Sequence, residues 1–188
     1  MSSKGAHRKK VGLLGGSFNP PHIGHVGMVR YLLKENKVDQ IWVIPCFEHP
    51  FNKDLVSFDH RFKMCALAFE EFGNKAMIKD VEKKLGGKSF TLRTVEHLQK
   101  AFPDIDFVLI VGEDAAKESA VWKDAETLKK KITWLVIPRG PNSPIPDVSA
   151  TEIRKCLGQG ADTGDAIPPK VLHYIRERGL FGFPLSRE

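Results

Sequence analysis

The sequence contains few cysteines and no long hydrophobic segment. Its 188 residues include three cysteines, Cys46, Cys65 and Cys156, an odd number at wide spacing. This usage indicates a reducing compartment rather than a disulfide framework, so we expect a cytoplasmic protein. No apolar run approaches the roughly 18 residues of a membrane-spanning helix, and we expect no membrane association. The basic N-terminal region is not followed by the apolar region of a secretory signal.

Surplus positive charge is scarce outside the first ten residues. The formal net charge is +6, and four of these charges come from Lys4, Arg8, Lys9 and Lys10. Subtracting these four leaves about +2 on the remainder, which does not make a basic nucleic-acid-binding surface. We therefore expect a flexible basic tail over residues 1–9, one domain over residues 10–183 and no nucleic-acid partner. A homo-oligomer is compatible with the sequence.

Short apolar segments alternate with amphipathic ones along the chain. Buried-strand patterns occur at residues 11–14, 41–45, 76–81, 107–111 and 132–137. Between and after them, helical spacing or capping signals predict helices over residues 25–34, 59–72, 90–101, part of 115–130, and from Ser149 and Pro168-Pro169 onward. This alternation predicts an α/β fold with one doubly wound parallel sheet. Ligands of such sheets bind beyond the carboxyl ends of the strands.

The most informative segment follows the first predicted strand. It reads Gly15-Gly-Ser-Phe-Asn-Pro-Pro-His-Ile-Gly-His25. A strand, a glycine turn and a helix N-terminus form an anion site, because free N–H groups and the helix dipole both favour negative charge. His22 and His25 add hydrogen-bond donors on one side of the first helical turn. The segment matches neither the phosphate-loop motif nor the dinucleotide-binding glycine motif.

Two structural interpretations of this segment stay open from the residues alone. The histidine pair could bind zinc, although no further ligand stands at metal-like spacing. Alternatively, the glycines could serve only a tight turn and the histidines could only cap the helix.

The segment resembles the signature of the nucleotidylyltransferase superfamily, G-[ST]-F-[DN]-P followed by [HT]-x-G-H. Further motifs of its bacterial nicotinate mononucleotide adenylyltransferases are matched at Arg61-Phe-Lys-Met64, Ser89-Phe-Thr91, Val111-Gly-Glu-Asp114, Trp122, Val148-Ser-Ala-Thr-Glu-Ile-Arg154 and Ile167-Pro-Pro-Lys-Val171. The resemblance covers nearly the whole chain and implies a Rossmann-like nucleotidylyltransferase fold. It also implies an enzyme of NAD biosynthesis that joins the adenylyl group of ATP to nicotinate mononucleotide and releases pyrophosphate.

The resemblance assigns roles to individual residues. It implies that the catalytic residues, which hold the ATP phosphates, are His22, His25 and Arg154. Further ATP-binding positions are Gly16, Ser17, Phe18, Gly24, Ser149 and Thr151. The positions that bind the acceptor are Lys53, Thr91, Arg93, Asp114 and Trp122. Mg²⁺ is expected with ATP, bound mainly through phosphate and water, so we expect no metal site made by the protein itself.

Several of these residues have structural alternatives. Asp114 could bind ribose hydroxyls or cap the following helix. Trp122 could stack on the pyridine ring or belong to the core. Lys53 could be a loop lysine, and Arg154 could be a solvated residue on a surface helix.

Two departures from the family pattern bear on the acceptor. His49-Pro-Phe-Asn-Lys53 stands where the family usually has P-P-H-K, and Arg93 replaces an aspartate. We expect Arg93 and the N–H groups near Thr91 to favour the nicotinate carboxylate over a neutral amide. Alternatives are another acceptor, such as nicotinamide mononucleotide or phosphopantetheine, and a non-catalytic nucleotide-binding relative. Trp122 and the closing motifs argue against the phosphopantetheine acceptor, and the presence of His22, His25 and Arg154 argues against the non-catalytic relative.

Overall fold

Five parallel strands form one sheet in the order β3-β2-β1-β4-β5. The structure is a computed structural model that describes residues 8–51, 53–140 and 143–184. Most of the predicted tail, residues 1–7, lies outside these ranges. The strands are β1 (Lys10–Gly16), β2 (Gln40–Pro45), β3 (Ala76–Ile78), β4 (Asp106–Gly112) and β5 (Thr133–Ile137). The chain runs outward from β1 to β3 and returns to β4 on the other side of β1, so a topological switch point lies between β1 and β4.

Helices cover both faces of this sheet, and the predicted α/β fold is confirmed. They are α1 (Ile23–Lys34), α2 (Phe58–Ala68), α3 (Val81–Leu85), α4 (Thr91–Ala101), α5 (Glu113–Lys117), α6 (Ala125–Lys131), α7 (Ala150–Gly158) and α8 (Pro169–Glu177). Side chains of α1, α2, α7 and α8 pack in one core cluster, and those of α4 and α6 pack in the other. In the described part of the chain, no helix is both long and apolar enough for a membrane span.

The strands divide their side chains between the two clusters by simple alternation. In β4, Val108 and Ile110 face the cluster with α1, whereas Phe107, Leu109 and Val111 face the cluster with α4. Successive side chains of a strand point to opposite faces, and a sheet covered on both sides therefore needs continuous apolar runs. This requirement explains the uninterrupted hydrophobic strands of the sequence.

Two predicted elements between β2 and α4 have different bounds. The helix predicted over residues 59–72 ends at Ala68, and a 3₁₀ segment follows over Glu70–Lys75. Gly73 lies in that segment with φ 52°, a conformation that no α-helix contains. The strand predicted over residues 76–81 ends at Ile78, because the chain turns into α3 at Val81.

The predicted ends of the last two helices are confirmed. Ser149 Oγ accepts a hydrogen bond from the backbone N–H of Glu152 at 3.4 Å, at the start of α7. Pro168 precedes α8, and Gly179 follows its end with φ 56°. A left-handed residue just after a helix ends it without steric strain when that residue is glycine.

Candidate active site

The turn after β1 is built around a buried phenylalanine. Phe18 has φ 47° and is 2% exposed, and its ring centroid lies 4.9 Å from that of His25. A Cβ at Gly16 would lie 3.3 Å from the Phe18 ring, so a larger residue would crowd it. The Phe18 ring therefore packs against the His25 ring, and Phe18 presents mainly its backbone to a ligand.

The two histidines meet at the first turn of α1. His22 is the N-cap residue, and its backbone N–H donates to Nδ1 of His25 at 3.2 Å. This bond assigns the proton of neutral His25 to Nε2, which is therefore a donor for a ligand. The glycine between them allows the close approach, because a Cβ at Gly24 would lie 3.0 Å from His22 Nδ1. His25 therefore accepts a hydrogen bond at the helix start through Nδ1 and keeps Nε2 for a ligand.

Both imidazoles are neutral at pH 7 in the free protein. Burial, and then the positive charge of Arg139, lower the pKa of His22 to about 4. Burial also lowers the pKa of His25 well below its usual range, with smaller contributions from His22 and Arg139. A bound polyanion opposes both effects, because a nearby negative charge favours the protonated form.

A cavity of about 930 Å³, the α7 cavity, opens between the turn after β1 and α7. Seven of the predicted site residues line it, namely Ser17, Phe18, His22, His25, Lys53, Thr151 and Arg154. Arg154 Nη1 donates to the backbone oxygen of Asn19 at 2.9 Å, and Nη2 donates to Thr151 Oγ1 at 3.2 Å. These bonds hold the guanidinium at the turn, and no described carboxylate lies within ion-pair distance of it.

A second cavity of about 560 Å³, the α4 cavity, lies beyond the ends of β1 and β4. The predicted site residues that line it are Gly16, Ser17, His25, Thr91, Asp114 and Trp122. Ser17 and His25 line both cavities, so the two spaces meet at these residues. This meeting point lies at the sheet edge where ligands of doubly wound folds bind.

The structure excludes one alternative for Asp114 and describes Trp122 further. Gly112 is the N-cap residue of α5, so the capping interpretation of Asp114 is wrong. Asp114 Oδ2 lies 3.1 Å from Nε of Arg139 and forms an ion pair with it. Trp122 packs against Trp134 with ring centroids 5.7 Å apart and also lines the α4 cavity. It is therefore part of the core and of the cavity wall.

Three predicted residues, Gly24, Arg93 and Ser149, lie outside both cavities, whereas Lys53 lines the α7 cavity. Gly24 lines only a smaller space of about 70 Å³ beside His22. Arg93 donates to the backbone oxygens of Gly86 at 2.7 Å and Leu85 at 2.6 Å, at the end of α3. The last carbonyl groups of a helix lack intrahelical partners, and the guanidinium satisfies them. This geometry corrects the expectation that Arg93 faces the acceptor. Ser149 is occupied as the cap of α7.

Sequence reasoning gave no role to Arg61, which is 1% exposed. Its guanidinium donates to four backbone oxygens, those of Val56 at 2.9 Å, Ser17 at 3.0 Å, Cys46 at 2.6 Å and Phe47 at 3.2 Å. These bonds tie the turn after β1 to the loop after β2. The R-x-x-M motif was the only signal for this residue, and it did not indicate which atoms the arginine holds.

Arg139 was also missed, because it lies in a proline-rich loop after β5. It forms ion pairs with Asp114 and Asp147, and its backbone N–H donates to Glu113 Oε2 at 2.8 Å. It lines the α4 cavity and a smaller space of about 70 Å³ beside His22. Arg139 therefore connects the loop after β5 to the end of β4 and adds positive charge near both histidines.

The loop after β2 is held against the residues that precede α4. The backbone N–H of Ser89 donates to the oxygen of Glu48 at 2.9 Å, and that of Phe47 donates to Ser89 Oγ at 2.9 Å. His49 lines the α4 cavity, and its Nδ1 accepts from the backbone N–H of Phe51 at 3.2 Å. The departure from the family pattern at residues 49–53 thus borders both cavities, with His49 at one and Lys53 at the other.

A family model described as cytidylyltransferase-like matches residues 13–156. The chain belongs to this cytidylyltransferase-like family. A relative from Anaeromyxobacter sp. (strain K), named "Probable nicotinate-nucleotide adenylyltransferase", is 37% identical over 92% of this chain and 97% of its own length. A relative of the same name from Myxococcus xanthus is 34% identical over 92% of this chain and 95% of its own length. The expected kinship with the nicotinate mononucleotide adenylyltransferases of the family is confirmed.

A solved structure shares the cytidylyltransferase-like fold of this chain. The nicotinic acid mononucleotide adenylyltransferase of Plasmodium falciparum, complexed with NaAD, superposes with a TM-score of 0.78 at 23% identity. The match covers 94% of this chain and 98% of that one. At this identity the likeness concerns the fold, and it agrees with the single parallel sheet described above.

Proposed function

We propose that this protein transfers the adenylyl group of ATP to nicotinate mononucleotide, forming nicotinate adenine dinucleotide and pyrophosphate in NAD biosynthesis. The names of relatives at 37% and 34% identity support this activity. The observation that carries the proposal is the meeting of two cavities at Ser17 and His25. Two phosphate-bearing substrates need such a meeting point, because holding the reacting groups together supplies much of the rate enhancement.

We propose that ATP places its triphosphate in the α7 cavity. Arg154 would bind phosphate oxygens with its planar fork, which stays charged at any relevant pH. Lys53 and Thr151 line the same space and would add a charge and a hydroxyl group. The backbone N–H groups of Ser17 and Phe18 would hold the phosphate nearest the turn.

The acceptor would occupy the α4 cavity with its own phosphate at the shared residues. An oxygen of this phosphate attacks the α-phosphorus of ATP, the bond from that phosphorus to the bridging oxygen breaks, and pyrophosphate leaves with the electron pair. No nucleophilic side chain is needed, because phosphoryl-group transfer depends on positioning and on stabilisation of charge. Nε2–H of His25 would donate to the oxygens of the reacting phosphate.

The pyridine nucleoside would lie farther along the α4 cavity. Trp122 would stack on the ring, and Asp114 would accept hydrogen bonds from ribose hydroxyls. The N-terminus of α4 at Thr91 would meet the ring carboxylate, because its backbone N–H groups are free of intrahelical partners.

We propose that Mg²⁺ enters with ATP and neutralises part of the triphosphate charge. Among the described residues, no group of three or more His, Cys, Asp or Glu side chains could hold a metal ion. Asp54 is the one described carboxylate that lines the α7 cavity. A hard cation held mainly by phosphate and water oxygens needs little more from the protein.

We place the reaction in the cytoplasm, in agreement with the three free cysteines.

The test is pyrophosphate release from Mg·ATP with a panel of acceptors. Nicotinate mononucleotide, nicotinamide mononucleotide and phosphopantetheine are each supplied to the purified full-length protein, and products are identified by mass. We expect the highest kcat/KM with nicotinate mononucleotide and a dinucleotide product. A higher value with phosphopantetheine would overturn the acceptor assignment, and ATP binding without turnover of any acceptor would favour a non-catalytic role.

A further inference from the structure

The cation that sequence analysis expected beside the acceptor is engaged elsewhere, and a lysine lies at the cavity instead. Arg93 is bonded to the end of α3, whereas Lys123 lines the α4 cavity. Lys123 directly follows Trp122 in the chain. Its ammonium lies 4.7 Å from the centroid of the Phe90 ring, within the range of a cation–π contact.

The position of Phe90 brings this ammonium to the start of a helix. Phe90 is the N-cap residue of α4, no side chain caps that terminus, and its first turn contains no acidic residue. Phe90 and Thr91 both line the α4 cavity. The free N–H groups and the positive end of the α4 dipole therefore lie beside the lysine, and all three favour a negatively charged group.

Lys123 is available to a ligand, unlike the other permanent cation of this cavity. Among the described residues that line the α4 cavity it is the only lysine, and it has no described carboxylate within 4.0 Å. Arg139 is held by Asp114 and Asp147. The carboxylates of Glu82, Asp114 and Glu118 also line the α4 cavity. Glu82 accepts hydrogen bonds from Thr94 Oγ1 at 3.1 Å and from the backbone N–H of Phe47 at 3.3 Å, and Asp114 is paired with Arg139. Glu118 and Lys123 are both exposed, so water and salt screen both charges.

We propose that Lys123 determines specificity by selecting an acceptor that carries a carboxylate on its ring over one that carries a neutral amide. The inference rests on the proposed function, which places the acceptor phosphate at Ser17 and His25. The ring then points away from these residues, toward Trp122, Phe90 and Lys123. A carboxylate there gains a charge-assisted contact that an amide cannot match.

The test compares two acceptors that share a phosphate and differ only in this group. kcat/KM is measured for nicotinate mononucleotide and nicotinamide mononucleotide at saturating Mg·ATP, with the wild type and with Lys123→Gln, Lys123→Arg and Lys130→Gln. Lys130 is an exposed lysine of α6 that does not line the cavity, so its variant is the matched control. Thermal unfolding of each variant confirms that the fold is retained.

Lys123→Gln should lower kcat/KM for the nicotinate acceptor roughly fivefold to tenfold, through KM, as expected for a charge contact open to solvent. The value for the amide acceptor should change less than about twofold, and Lys123→Arg should retain most of the preference. Added salt should reduce the difference in kcat/KM for nicotinate mononucleotide between wild type and Lys123→Gln. Calorimetric affinity for nicotinate mononucleotide without ATP should show the same loss.

Equal losses with both acceptors would overturn the inference, because they would assign Lys123 to the shared phosphate or to support of Trp122. An unchanged ratio of the two kcat/KM values would overturn it as well. A wild type that uses neither pyridine nucleotide would instead contradict the proposed function, and the inference would fall with it. The wild-type assay therefore separates the two failures.

Discussion

The α7 cavity takes its polar groups from the turn after β1 and from α7, whereas the α4 cavity is bordered by aromatic side chains and by charges that are largely paired. Arg154 in the first is bonded only to a backbone oxygen and a hydroxyl group and keeps its charge for a ligand. Arg139 in the second is held between two carboxylates. The difference teaches that the α7 cavity presents a guanidinium without a described carboxylate partner, which suits phosphate, whereas the α4 cavity presents aromatic surfaces, which suit a ring.

The residues shared by the cavities should give the largest effect. His25→Ala should lower kcat about 10²–10³-fold with either acceptor, because one preorganised donor to the transition state is lost. The variant should stay folded but lose about 1 kcal/mol in the free energy of unfolding, because the backbone N–H of His22 loses its acceptor. His97→Ala, which removes an exposed histidine of α4, is the matched control. Activity of His25→Ala within about threefold of wild type would remove His25 from the mechanism. It would also contradict the proposal that the two substrates react beside this residue.

Arg61 should affect both cavities through the backbone. Arg61→Met leaves four buried or part-buried carbonyl oxygens without their partner, and we expect a loss of about 3 kcal/mol in the free energy of unfolding. KM should rise for ATP and acceptor together. Arg30→Met removes an arginine from an exposed pair with Glu71 and should cost less than about 1 kcal/mol. Equal stability of the two variants would show that Arg61 does not organise the site.

The buried histidines should make stability depend on pH. The pKa of His22 is about 4 in the folded protein, against an ordinary value of 6.5, so the unfolded chain binds more protons between these values. Stability should therefore rise with pH across this window, and His22 alone should account for a loss of about 2 kcal/mol between pH 7.5 and pH 5.

Denaturant titrations of wild type and His22→Asn at several pH values measure the contribution of His22 to the pH dependence of stability. Asparagine keeps a good N-cap residue but does not titrate. The variant should lose less stability on acidification. Mg·ATP should reduce the pH dependence of stability in the wild type, because a bound polyanion favours the protonated form of His22. If the free energy of unfolding changed with pH in the same way in both proteins, folding would not lower the pKa of His22.

Substitution of Arg154 should affect ATP binding in the α7 cavity without affecting acceptor binding in the α4 cavity. Arg154→Lys should raise KM for ATP about tenfold, because a point charge cannot reproduce a planar fork on phosphate. KM for nicotinate mononucleotide should stay within about twofold, which makes the acceptor an internal control. If KM rose for nicotinate mononucleotide and not for ATP, the assignment of Arg154 to ATP binding in the α7 cavity would be contradicted.

Much of the fold and of the phosphate end could be predicted, because the signals are local. The strand, glycine turn and helix from β1 to α1 are each specified by neighbouring residues, and so is the Ser149 cap. The helix predicted over residues 59–72 was too long, since the periodic pattern continues beyond Ala68 while the backbone changes to a 3₁₀ segment. A helical pattern does not reveal where tertiary packing ends it.

The partners of the arginines could not be predicted. Arg61 bonds to Ser17, 44 residues away, and Arg93 turns back to α3 rather than forward to the cavity. Which carbonyl or carboxylate a long side chain meets depends on the assembled fold, and sequence spacing carries no record of it. The acceptor end, which depends most on such contacts, was therefore the less predictable part of the site.

The central claim is that the two cavities bring ATP and a pyridine mononucleotide together at His25 for transfer of the α-phosphate. The most direct measurement uses ATP labelled at the α-phosphorus and unlabelled nicotinate mononucleotide, with separation of all products. The account predicts that the label appears in the dinucleotide in equal amount to the pyrophosphate released. Label recovered as free AMP, or retained in ATP while the acceptor is bound, would contradict it.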